Sequence, residues 1–296
     1  MLKKNKKIIL LFGPTASGKS KLAIDIAKKI NGEIVNADSM QVYKEINILS
    51  ARPDKNKIKH HLYGFLSIKK SFSTGAWLKK ATVKIKEINK RGKVALVVGG
   101  TGLYFKALID GFSYIPKTPK PKKNFQLKKS YLKKHYNIFK DIPINDNQRL
   151  QRAFLVHKYT GKPISFWQKK NKKPFNSYEF VKVYLNPPKS EIEKRLKKRF
   201  LNMLSKGAIE ETKKFKKISP PSINSSNFII GLREISQFLD EKISFESLKT
   251  KVLIRSRQYA KRQITWQRGQ MKDWKGFEDI NYTDLLKKVV TYLSKT

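Results

Sequence analysis

The apolar run Ile8 to Phe12 ends at Gly13-Pro-Thr-Ala-Ser-Gly-Lys-Ser20, and the residues that follow put Leu22, Ala23, Ile26, Ala27 and Ile30 on one helical face. This succession of strand, glycine loop and helix constrains the fold more than any other feature of the chain. A short, continuous apolar strand is buried on both sides, as in a parallel sheet. The loop fits G-x-x-x-x-G-K-[ST] at every fixed position. Its glycines let backbone N–H groups wrap a phosphate with no Cβ in the way, and the helix N-terminus adds partial positive charge. Lys19 brings a full charge to the outer phosphate, and Ser20 a hydroxyl for Mg2+. Gly13, Pro14, Thr15, Ala16, Ser17, Gly18, Lys19 and Ser20 are thus expected to hold a diphosphate or a nucleotide such as ATP.

Two further strands point at the same place. Glu33 to Asn36 leads to Asp38, and Lys93 to Val98 runs into Gly99-Gly-Thr-Gly102. In an open α/β sheet, ligands sit at the carboxyl ends of the strands, so these segments are expected to converge on the loop. A carboxylate at Asp38 can accept a proton from an attacking amine or hydroxyl, hold Mg2+ through water, or close an Asx turn. Thr101 can bond a diphosphate oxygen or cap the next helix. The later strand ends in glycine and threonine, where a hydrolytic NTPase usually has an acid; this favours group transfer from a bound phosphate or diphosphate donor.

The expected architecture is α/β: a P-loop-type parallel sheet core flanked by helices, with an inserted helical domain. The core's first part covers 1–112. Pro116, Pro119 and Pro121 among lysines open a basic helical insert at 113–178. The core resumes over 179–296 with a strand at Val181 to Leu185, a long helix from Glu191 to Lys214, a break at Pro220-Pro221, and a helix from about Leu248 to Gln267. That last helix carries Arg255, Arg257, Lys261 and Arg262, with Arg268 just beyond it.

Composition narrows the partners. Lys and Arg number 66 against 22 Asp and Glu, a formal net charge of +44. A polyanionic partner fits this balance, although 55 of the 66 are Lys, a skew that codon drift also produces. With 0 Cys, disulfides, thiolate catalysis and Cys-based metal sites are excluded. The adjacent pair His60-His61 points its rings in different directions and reads as loop or packing rather than a metal pair. The basic start precedes an apolar run too short for a signal sequence, and no stretch approaches the length of a membrane span. A cytoplasmic protein, acting as a monomer and without a membrane partner, is the expectation.

Together, Gly13 to Ser20, Asp38-Ser-Met-Gln-Val-Tyr43, His60-His61-Leu62, Gly99-Gly-Thr-Gly-Leu-Tyr-Phe-Lys106, Gln148-Arg-Leu-Gln-Arg152 and Lys261-Arg-Gln-Ile-Thr-Trp266 closely resemble, in order and through nearly the whole chain, the bacterial tRNA dimethylallyltransferases of the IPP transferase family. The resemblance implies transfer of a dimethylallyl group from dimethylallyl diphosphate to N6 of the adenosine after the anticodon of tRNA, with Mg2+ as cofactor. It implies that Thr15, Lys19 and Ser20 hold the donor diphosphate and its metal, that Asp38 is the general base, and that Thr101 positions donor and adenine. Arg199 becomes a further diphosphate contact. For the anticodon stem-loop it implies Asp38, Ser39, Met40, Gln41 and Thr101 at the target base, Lys123 and Gln148, Arg149, Leu150, Gln151 and Arg152 in the insert, and Lys261 and Arg262 on the late basic helix. Trp266 reads as core.

Two departures from the family pattern stand out. Leu49-Ser50-Ala51-Arg52-Pro53 replaces the usual Gly-Thr-Ala-Lys-Pro, which questions the loop geometry at Leu49. Leu155 replaces an acid in the insert. Two other readings remain open: a small-molecule kinase, which the loop alone would support, and a non-enzymatic RNA-binding module.

Overall fold

The computed structural model describes residues 6–53, 58–70, 72–113, 115–119, 125–169, 172–218 and 229–296. Two compact units emerge, one of residues 1–107 with 175–296 and one of residues 108–174.

The larger unit is built on a parallel six-stranded sheet of order β3-β2-β4-β1-β5-β6. Its strands are β1 (Lys6–Phe12), β2 (Gly32–Asn36), β3 (His60–His61), β4 (Val94–Gly99), β5 (Tyr178–Leu185) and β6 (Lys275–Phe277). The helices of the chain are α1 (Lys19–Lys29), α2 (Thr74–Lys90), α3 (Gly102–Asp110), α4 (Lys129–Lys134), α5 (Tyr136–Phe139), α6 (Asn147–Thr160), α7 (Ile164–Gln168), α8 (Lys189–Ser205), α9 (Ala208–Ile218), α10 (Leu232–Leu239), α11 (Phe245–Gln270) and α12 (Tyr282–Lys295). Of these, α4 to α7 make up the smaller unit.

The central strand β1 is buried on both faces because its side chains alternate between two cores. Ile9 and Leu11 join Leu22, Ala23 and Ile26 of α1 and Leu285 and Val289 of α12. Phe12 packs edge-on against Phe105 of α3, which in turn meets Trp274. A third cluster, with Tyr43, Phe200, Phe215, Leu232 and Leu248, gathers α8 to α11 over the segment after β2.

Several boundaries differ from the sequence expectation. The helix expected over 191–214 is two helices, α8 and α9, because Gly207 takes φ +94° between them, a conformation only glycine adopts without strain. The insert closes at 174 rather than 178: Phe175 is buried and packs edge-on against Tyr178 and Phe180 at the start of β5. Pro121 and the break at Pro220-Pro221 lie outside the described residues. His60 and His61 form the short edge strand β3 rather than a loop. His61 Nε2 is 2.6 Å from Glu33 Oε2, whose carboxylate also meets Arg91 at 2.7 Å and Lys93 at 3.3 Å. Burial works to raise the Glu33 carboxyl, but the three partners outweigh it and hold it below the usual range.

Glu33 therefore binds the edge strand to the sheet, with its carboxylate buried and its partners partly in water. Glu33→Gln is expected to lower unfolding stability by about 2 kcal/mol at neutral pH, the cost of weakening charge-assisted hydrogen bonds to a buried acceptor whose cationic partners still reach water. Because the depressed carboxyl stabilises only while ionised, the difference shrinks as pH falls through its folded value. Urea titrations at several pH values check both statements.

Candidate active site

The phosphate loop is held open by its own backbone. Gly18 takes φ +88° at the cap of α1 and Ala16 takes φ +63°, so successive amides turn toward one concavity. Gly13 N–H donates to the Gly99 carbonyl at 3.2 Å, joining the loop to the end of β4. Lys19 Nζ donates to the Pro14 carbonyl at 3.2 Å, and Arg199 Nη1 on α8 donates to Thr15 Oγ1 at 2.9 Å. Arg195 pairs with Glu191 at 2.6 Å and reaches the Ser17 carbonyl at 3.3 Å. A cavity of about 440 Å³ opens beside the loop, lined by Lys19, Ser20, Arg195, Lys198, Arg199 and Tyr282 among others.

Asp38 lies at the end of β2, within electrostatic reach of Lys19 and Arg199. Asn36 places it: Asn36 Oδ1 accepts the Asp38 N–H at 2.8 Å, while Nδ2 donates to the carbonyls of Asp38 and Leu62 at 3.0 and 2.9 Å. The Asn36 carbonyl accepts Trp77 Nε1–H at 2.7 Å, and the Trp77 indole stacks on Tyr104 at 4.3 Å. Asp38 Oδ1 accepts the Met40 N–H at 2.9 Å, which closes an Asx turn. Oδ2 has no hydrogen bond among the described residues, so the turn leaves an oxygen for chemistry. Thr101 Oγ1 accepts the Ser39 N–H at 3.0 Å and lies 3.3 Å from Ser39 Oγ, joining the ends of β2 and β4.

Burial dominates the electrostatics. It pulls the Lys19 ammonium down to about 8, against the attraction of Asp38, and the neighbouring Arg199 pulls the same way. It also lowers Arg199, despite Asp38. Burial and the Asp38 charge raise the phenols of Tyr63, Tyr104 and Tyr259, so all three are neutral donors at physiological pH. A cationic pocket thus faces a carboxylate, and an incoming anion favours the charged form of Lys19 further.

Gln263 of α11 was not singled out in the sequence. Its Oε1 accepts the Thr15 N–H and its Nε2 donates to the Gly100 carbonyl, both at 2.8 Å, so one buried amide pins the phosphate loop to the turn after β4. Ala260, Gln263 and Gln267 are buried on the same helix face. A glutamine on a buried stripe was the available signal.

The site residues named from sequence divide in two. Residues 13–20, Asp38 to Gln41, Thr101 and Arg199 come together in the larger unit. Lys261 and Arg262 stand exposed on α11, while Trp266 is half-buried and packs where Gly102 has no side chain. In the smaller unit, Gln148 and Arg149 are exposed at the start of α6, with Arg149 Nε 3.1 Å from Asp146 Oδ2. Arg152 bonds Thr118 and the Pro116 carbonyl, and Gln151 bonds the Phe125 carbonyl. Leu150 is 3% exposed and packs with Phe139 and Ala153, so its side chain serves the core and not a partner. Lys123 lies outside the described residues. No group of three or more His, Asp or Glu side chains able to hold a metal occurs among the described residues.

The family model described as IPP transferase matches residues 41–270. The chain belongs to the IPP transferase family. It is 42% identical to a tRNA dimethylallyltransferase of Pelagibacter ubique, over 97% of this chain and 96% of that one, and 40% identical to one of Rickettsia conorii, over 91% and 78%. The full-length tRNA isopentenylpyrophosphate transferase of Bacillus halodurans superimposes with TM-score 0.73 at 27% identity, covering 98% of this chain and 96% of that chain. A eukaryotic dimethylallyltransferase acting on tRNA superimposes with TM-score 0.78 at 26% identity, covering 98% and 80%. No helix among the described residues is long and apolar enough to cross a membrane.

The lowered Lys19 value makes anion binding by this IPP transferase family member pH-dependent. Only the ammonium form pairs with a phosphate, so the affinity for inorganic diphosphate should weaken above pH 8, by up to about tenfold per pH unit, with proton uptake on binding. Calorimetry in buffers of different ionisation heat measures both quantities.

Proposed function

We propose that this protein is a tRNA dimethylallyltransferase, moving the dimethylallyl group of dimethylallyl diphosphate to N6 of adenosine 37, next to the anticodon, and releasing diphosphate. The observation that carries the reading is the cationic pair of Lys19 on the phosphate loop and Arg199 on α8, set against the Asp38 carboxylate, one oxygen of which has no hydrogen bond among the described residues. Membership of the IPP transferase family supports the same chemistry.

The exocyclic nitrogen of adenine is a poor nucleophile because its lone pair is drawn into the ring. The allylic carbon compensates by bond breaking. As the C1–O bond lengthens, the electron pair passes to the diphosphate, and stabilising that charge is the largest contribution a preorganised site can make. The loop amides, Lys19, Arg199 and the hydroxyls of Thr15 and Ser20 hold it. N6 forms the new bond to C1, and its proton passes to Asp38. Thr101 fixes the Ser39 end of the turn so that carboxylate and donor stay in register.

The donor set suits Mg2+, which keeps most of its waters and prefers phosphate oxygens to an all-protein cage. The Ser20 hydroxyl would hold it together with the bound diphosphate, which fits the lack of a carboxylate cluster among the described residues. When bound, the ion neutralises charge on the leaving group.

For tRNA, base chemistry on N6 requires the target adenosine to leave its stack, and the segment Asp38 to Gln41 meets it. Gln148, Arg149, Gln151 and Arg152 in the smaller unit, with Lys261 and Arg262 on α11, hold the anticodon stem-loop, largely through phosphates. We propose that it works in the cytoplasm, where its tRNA substrate would be met, and as a monomer.

With labelled dimethylallyl diphosphate and tRNA, wild type should transfer label, and Asp38→Asn should lower kcat by about 10²- to 10⁴-fold with little change in the KM for the donor. ATP-dependent phosphorylation of a small molecule without label transfer would overturn the reading. Affinity for tRNA should fall linearly in a plot of log affinity against log salt, because Lys and Arg contacts release counterions; filter binding at several salt concentrations measures the slope.

A further inference from the structure

Glu211, on α9, takes no part in the chemistry above, yet its carboxylate accepts three consecutive backbone N–H groups from a distant segment. Oε1 accepts from Asn47 at 2.6 Å and Ile48 at 2.8 Å, and Oε2 accepts from Leu49 at 2.9 Å. Three amides directed at one carboxylate form a charge-assisted cap on the turn that follows, closed by Ala51 N–H on the Ile48 carbonyl at 2.9 Å. Ser50 Oγ tightens it by donating to the Ile46 carbonyl at 2.8 Å. Leu49, where the family pattern has glycine, is buried against Gly231 and does not take a positive φ; the turn is held by the cap and needs no glycine at that position.

The carbonyls of this turn have a specific recipient. Gln41 Nε2 donates to the Ser50 carbonyl at 3.0 Å and to the Ala51 carbonyl at 2.9 Å. Carbonyls only accept, so these two bonds fix which end of the amide is nitrogen and leave Oε1 as an acceptor. Among the described residues Oε1 has no hydrogen bond. The Gln41 N–H in turn meets the Asp38 carbonyl at 3.3 Å, so this acceptor is tied to the turn that carries the carboxylate.

We propose that Glu211 is a positioning residue for recognition of the target base: it fixes the turn at 47–51, whose carbonyls orient the Gln41 amide. The proposal rests on the reading that Asp38 to Gln41 meets the adenine. Its reach is confined to the acceptor side of the reaction, since the phosphate loop is held separately by Gln263 and Arg199.

The test compares Glu211→Gln, Gln41→Ala and the double variant of the full chain, in steady-state kinetics and in amide hydrogen exchange over residues 46–52. Glu211→Gln keeps the shape but sets an NH2 against backbone N–H groups. The proposal expects faster exchange at 47–49, kcat/KM for tRNA lowered about tenfold in each single variant and no further in the double, and the KM for dimethylallyl diphosphate within about twofold of wild type. Multiplicative losses in the double variant, an equal shift in the donor KM, or faster exchange with unchanged kcat/KM for tRNA would each overturn it. If Gln41→Ala alone leaves kcat/KM for tRNA unchanged, the recognition reading fails and the proposal with it, while the exchange result still tells whether Glu211 holds the turn.

Discussion

Everything in the larger unit is arranged around one electrostatic problem: a cationic loop must wait for an anion with a carboxylate close by and little water to screen either. The loop amides, Lys19 and Arg199 would collapse onto Asp38 if they were free to do so. They are not free, because each has a partner of its own: Lys19 the Pro14 carbonyl, Arg199 the Thr15 hydroxyl, and Asp38 the Asn36 amide and the Met40 N–H. The charges face one another without pairing. Burial lowers Lys19 to about 8, so a nearby anion, by favouring the ammonium, would draw in the protons that the uncharged fraction lacks.

The parallel sheet makes this possible. Strands β1, β2 and β4 are neighbours running the same way, so the phosphate loop, the Asp38 turn and the Gly99 to Thr101 turn emerge side by side. Short hydrogen bonds then lock the turns together: Gly13 to Gly99, Thr101 to Ala37, and Ser39 to Thr101. Gln263 adds a crosspiece from α11. Donor and acceptor sides are thereby braced by different helices, α8 and α11 for the phosphate loop, α9 for the turn beneath Gln41.

Local features were legible in the sequence and long-range ones were not. The strand, loop and helix at Ile8 to Ile30 announced themselves through a run, a motif and a periodicity contained in one stretch, and the structure places them as β1 and α1. Helix α2 carries an equally plain stripe in Trp77, Ala81, Ile85 and Ile88, with no chemical motif attached to it. Strands β3 and β6, two and three residues long, are too short to have a period. Gln263 and Glu211 were invisible for another reason: their partners lie more than a hundred residues away, and no spacing rule links them. Asp38 left two options open, turn or base, and the geometry shows why no choice was needed: one oxygen closes the turn and the other does not.

The central claim is that this loop serves a diphosphate leaving group whose departure depends on the acceptor base. Phosphorus NMR of a mixture of protein, dimethylallyl diphosphate, Mg2+ and tRNA reads it most directly. The account predicts that inorganic diphosphate appears in step with modified tRNA and stays at background when tRNA is omitted. Diphosphate release that ignores tRNA, or orthophosphate released from ATP in its place, would contradict it.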